Sequence, residues 1–166
     1  MTLTLAAIGA VAAAMLNLTS APYVQVGGAQ PDFLLVCAVV WTVVAGIEGG
    51  LIWAFVGGLM IDFLAPRPLG STAFTLLICV GGAALLGRAL VRFRYLVPVV
   101  TVFVFAVVNA LLFLAIYGAL RGPIEVPDAL GTVLPAAVYD TVLAALIGPA
   151  LVALIARRQD RDRLDW

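Results

Sequence analysis

The sequence predicts an all-α, polytopic membrane protein: a single domain over residues 1–166 with six transmembrane helices and both termini in the cytoplasm. Three observations lead there. Of 166 residues, 64% are hydrophobic and 11% charged, against about 45–50% and about 25% in soluble domains. The apolar residues fall into runs long enough to cross a bilayer, and at roughly 20 residues per crossing six spans use about 120 residues. The nine basic residues are all Arg and gather on one side of the resulting topology. A separate aqueous domain within these residues is excluded by length.

Pro, Gly and charged residues cut the runs into helices at 3–21, 33–47, 49–65, 71–91, 95–120 and 133–156. The first run ends in Thr19, Ser20 and Ala21 like a signal peptide. It has no basic n-region and Pro22 would follow the cut, so it reads as a retained helix. Taken as one helix, the second and third runs would reach about 50 Å, far beyond a hydrocarbon core of about 30 Å. Gly46, Glu48, Gly49 and Gly50 therefore predict a tight hairpin.

Six spans put Arg88, Arg92, Arg94, Arg157, Arg158, Arg161 and Arg163 on the side of the termini, with Arg67 and Arg121 opposite. This asymmetry makes the first side cytoplasmic. Tyr23 and Tyr117 then fall at the outer interface and Tyr95 at the inner one. Pro98 and Pro135 are expected in first turns, and Pro149 is expected to kink the last helix. The alternating Arg and Asp from Arg157 to Trp166 read as a solvated helix end.

Several chemistries drop out. Net charge is zero and Lys is absent, which argues against a nucleic-acid partner. There is no His, and Cys37 and Cys79 stand alone in apolar runs. No catalytic, cofactor-binding or metal-binding residues are expected.

Polar residues inside spans need a reason, since Asp costs about 2.5–3.5 kcal/mol there on insertion scales. Counted along the helices, Asn17, Asp62 and Asn109 lie about 20 Å from the cytoplasmic ends, and Asp140 about 10 Å below the outer surface. Asp32 opens the second helix at the same level, and Arg67 is the expected counter-ion of Asp62. These six residues predict a polar cluster or shallow cavity in the outer half of the bundle. It either binds something or merely satisfies helix ends.

Two rows of small residues recur at four-residue spacing: Gly46, Gly50, Ala54 and Gly58, and Ala6, Ala10 and Ala14. Such faces let helix backbones approach closely in lipid. Each row either packs internally or docks a partner's transmembrane helix.

Pro31-Asp32, Gly50, Gly57-Gly58-Leu59, Asp62-Phe63-Leu64, Pro68-Leu69-Gly70 and Asp140 ahead of Pro149 resemble, in order and spacing, the MreD family of bacterial rod shape-determining membrane proteins. Asp140 stands where the family more often shows Asn. The resemblance implies a non-catalytic scaffold or regulator of the cell-elongation machinery in the inner membrane. Its implied partners are MreC, RodA, a class B penicillin-binding protein and MreB. The family also resembles, in architecture, the substrate-binding S components of energy-coupling-factor transporters, so a vitamin-binding transporter subunit is the alternative. An intramembrane enzyme would need Asp62 and Asp140 as a carboxylate pair.

Overall fold

The computed structural model describes residues 2–20, 23, 30–66, 68–89, 97–121 and 129–162. They form six helices: α1 Thr2–Ser20, α2 Phe33–Ala45, α3 Ile47–Leu64, α4 Ser71–Ala89, α5 Val97–Arg121 and α6 Ala129–Asp162. Five of these are long and apolar enough to cross a membrane. The exception is α2, whose 13 residues reach about 20 Å at 1.5 Å each. The chain is thus a multi-pass membrane protein whose second helix is short.

Its position explains how α2 can be short. Helix α2 packs against all five other helices, and Leu34, Leu35, Val36, Ala38, Val39 and Val40 are buried. A helix enclosed by protein does not need its own full length of lipid-facing surface. Its buried Thr42 hydroxyl donates back to the Ala38 carbonyl at 2.6 Å, so that polar group is satisfied within the helix.

The hairpin between α2 and α3 is tighter than expected. Gly46 alone breaks the helix, with φ of 105°, and α3 starts at Ile47 with Glu48 in its first turn. That conformation suits a residue without Cβ. The carboxylate of Glu48 also sits where a helix dipole favours negative charge.

Midway, Trp53–Gly57 form a π turn before the α-helix resumes at Gly58–Leu64. The wider turn rotates the residues beyond it relative to those before. The four-residue row along α3 is therefore not one groove. A Cβ on Gly50 would strike Thr42 of α2, and one on Gly58 would come within 2.5 Å of the Ala73 Cα in α4. From α1, Gly9 admits the Trp53 ring, which would lie 2.6 Å from an added Cβ.

Helix α6 begins at Ala129 and passes Pro135 and Pro149. Pro135 is thus inside the helix rather than in its first turn, because the apolar pattern that begins near residue 133 understates a helix preceded by another turn. Pro98 does lie in the first turn of α5. Arg92, Arg94, Tyr95 and Arg163 lie outside the described residues.

Candidate functional site

Contacts from Leu34 to Gly57 and from Gly58 to Ala73 set the starts of α2 and α4 against the later half of α3, while Asn17 of α1 and Asp140 of α6 reach the start of α2. One region of the bundle therefore collects the end of α1, the starts of α2 and α4, the later half of α3 and the parts of α5 and α6 around Asn109 and Asp140. All the polar residues expected to cluster, other than Arg67, belong to this region. Arg67 lies outside the described residues.

The first group is built around the start of α2. A helix opens with backbone N–H groups that have no intrahelical partner, and a bundle interior has little water to offer them. Here side chains from three helices or their flanks serve. Asp32 is the N-cap, its Oδ1 accepting from the Leu35 N–H at 3.0 Å. Asn17 of α1 accepts from the Phe33 N–H at 3.2 Å and donates its Nδ2 to Asp32 Oδ1 at 3.3 Å. Asp140 of α6 accepts from the Asp32 N–H at 2.7 Å. Pro31, just before, has no N–H to satisfy.

Asp62 is not part of that group. Among the described residues its carboxylate is used at the start of α4, where both oxygens accept from the Thr72 N–H at 3.1 Å. Oδ2 also accepts from the Ala73 N–H at 3.4 Å, and the Ser71 hydroxyl lies 3.5 Å from Oδ1. The side chain is only 2% exposed. Asp62 is the α4 cap supplied by the preceding helix. Depth alone placed it with Asp140, but depth carries no information about which helix neighbours which.

Asn109 of α5 is different again. It is 6% exposed, and its Oδ1 has no hydrogen-bond partner. With Asp140, which is 4% exposed, it lines a cavity of about 320 Å³ between α5, α6 and the start of α2. Asp32 and the exposed Gln30 complete its polar wall, and Phe113 with alanines of α5 and α6 the apolar one. Of the six expected residues, four therefore converge: Asn17, Asp32, Asn109 and Asp140.

Sequence reading missed Gln30, adjacent to the Pro31-Asp32 pair, and Ser71-Thr72, whose position after Gly70 marks a helix start. Among the described residues, no three His, Cys, Asp or Glu side chains converge as a metal site requires.

The small-residue rows are consumed inside the bundle. Ala6, Ala10, Ala14 and Ala54 are 0% exposed, and Gly50 and Gly58 are buried. Only Gly46, at the hairpin, is exposed.

A family model of the rod shape-determining protein MreD matches residues 1–158. The chain belongs to the MreD family. No curated protein and no solved structure gives a significant match. Membership makes this MreD-family chain a non-catalytic membrane protein of the rod-shape complex. Asp62 and Asp140 are committed to different helix starts, so they do not form the carboxylate pair that an intramembrane enzyme would need of them.

Proposed function

We propose that this protein is a membrane scaffold of the cell-elongation complex. In this reading it holds the transmembrane helix of an MreC partner in the inner membrane, and through it engages RodA, a class B penicillin-binding protein and MreB. Six crossings with cytoplasmic termini accompany it, α2 counting as a crossing enclosed by the other five. Membership of the MreD family over residues 1–158 is the observation that carries this reading, and it favours the scaffold over a transporter's vitamin-binding subunit. The unequal Arg distribution supports the orientation.

The burial of the small-residue rows bears on how a partner is held. A bundle that already closes on Ala6, Ala10, Ala14 and Ala54 does not need a partner to complete its core. Docking then falls to the lipid-facing sides, where Ile8, Phe55, Phe74, Leu111 and Val142 are exposed. Lipid tails are as apolar as these side chains, so selectivity has to come from close packing rather than from hydrophobicity.

The test is a cysteine-crosslinking scan in membranes containing the partner. Cysteines at some of the five exposed positions are expected to crosslink to the MreC transmembrane helix, and cysteines at Ala10 and Ala54 are not. Failure of MreC to co-purify, with no crosslink from any exposed position, overturns the scaffold reading. Crosslinking through Ala54 would return docking to the small-residue row.

A further inference from the structure

The cavity beside Asp140 carries more than the capping of α2 demands. Capping uses one oxygen of Asp140, and Asn17 with Asp32 supplies the rest. Asn109 takes no part, yet it buries a carbonyl oxygen with no donor against it. An unpaired buried acceptor costs about 1–3 kcal/mol, so its placement on a cavity wall calls for a partner inside the cavity. Two carboxylates share that wall, and among the described residues none that lines it is cationic.

We propose that this cavity binds a small organic cation carrying a primary ammonium group. The ammonium presents three N–H donors and no acceptor. That set matches the Asn109 carbonyl oxygen and the Asp140 carboxylate, while Asp32 adds a second negative charge. A volume of about 320 Å³ lies at the lower end of the roughly 300–1,000 Å³ usual for small-ligand sites. Phe113 and the neighbouring alanines suit a short alkyl chain behind the charged head. Anions are disfavoured by the two carboxylates, and a quaternary ammonium has no N–H to offer Asn109. The same head group can come from a free amine or from a lipid with an ethanolamine head. This goes beyond the scaffold reading and stands independently of it.

The experiment uses the full chain in nanodiscs of pure phosphatidylcholine, titrated calorimetrically with n-butylamine, with tetramethylammonium and butyrate as controls. Saturable binding of butylamine alone is expected. Asn109→Leu removes the unpaired acceptor and keeps the volume. Asp140→Asn removes the charge but keeps an acceptor for the Asp32 N–H. Each is expected to weaken butylamine binding about tenfold or more, the scale of one charge-assisted hydrogen bond, with helical content unchanged.

Repeating the titration in nanodiscs of phosphatidylethanolamine separates the two sources. Loss of butylamine binding there identifies the lipid head group as occupant, and unchanged binding identifies a free amine. The proposal is overturned if butylamine does not bind in phosphatidylcholine, if tetramethylammonium binds equally well, or if a folded Asn109→Leu protein binds like the parent. Should the Asp140 variant fail to fold, the Asn109 variant alone decides.

Discussion

The N–H of Asp32 donates to Asp140 Oδ1 across 2.7 Å, joining residues 108 positions apart. This bond ties the start of the central helix to the middle of a candidate span in α6. It gives a physical reason for an acid at 140: the first turn of α2 opens inside the protein, where an amide without a partner is costly. Asn retains a side-chain carbonyl that could accept the same bond.

Asp140→Ala is therefore expected to destabilise the bundle by about 1–3 kcal/mol, the cost of stranding a buried donor, whereas Asp140→Asn costs much less. Reversible unfolding in mixed micelles measures both. Equal stability of the two variants would show that the bond contributes nothing.

At the other helix start, Asp62→Ala removes the acceptor for the Thr72 and Ala73 amides. Loss of a cap costs about 0.5–2 kcal/mol. Because the damage is local, amide hydrogen exchange at Thr72 and Ala73 is expected to accelerate, while exchange in α2 stays as it was. Acceleration spread evenly through the bundle would contradict the assignment of Asp62 to α4 alone.

Glycine substitutions separate close packing from open space. An added Cβ on Gly58 lies 2.5 Å from the Ala73 Cα, while Gly81 has nothing within 4 Å. Overpacking against backbone cannot be relieved by a rotamer change, so Gly58→Ala is expected to cost about 1–3 kcal/mol. Gly81→Ala should be neutral or slightly stabilising, as Ala is the better helix former. Thermal unfolding of the two proteins side by side provides the comparison.

Gly46→Ala tests a different cost. Its Cβ would meet nothing within 4 Å, yet φ is 105°. The penalty is conformational, roughly 1–3 kcal/mol, because φ of 105° with ψ of 166° is a backbone region that essentially only Gly occupies. A fall in melting temperature without altered packing elsewhere is the expected result; an unchanged melting temperature would mean that the turn readjusts freely.

Burial predicts reactivity as well. Cysteine at Ala10 or Ala54 should resist a membrane-permeant maleimide in the folded protein and react after unfolding, because both positions are fully buried. Cysteine at Leu111, which is exposed, should react in both states. Ready labelling at Ala54 in the folded protein would mean that α1 and α3 do not pack as described.

Helix number, approximate bounds and the membrane class were legible in the chain because they depend on local quantities: run length, apolar content and the punctuation of Pro and Gly. Asp32 was readable as a cap for the same reason, since it stands directly before an apolar run. The family was legible from motifs concentrated between Pro31 and Gly70. Other features depend on which helices are neighbours, and no count along the sequence contains that. Depth along a helix put Asp62, Asn109 and Asp140 at one level, and only packing assigned Asp62 to α4 and brought Asn109 to the cavity beside Asp140. Four-residue spacing marked the small rows, but the π turn at Trp53–Gly57 and the central position of α2 directed them inward. Backbone amides that must find partners away from water link these cases, and tertiary structure decided which side chain answers each one.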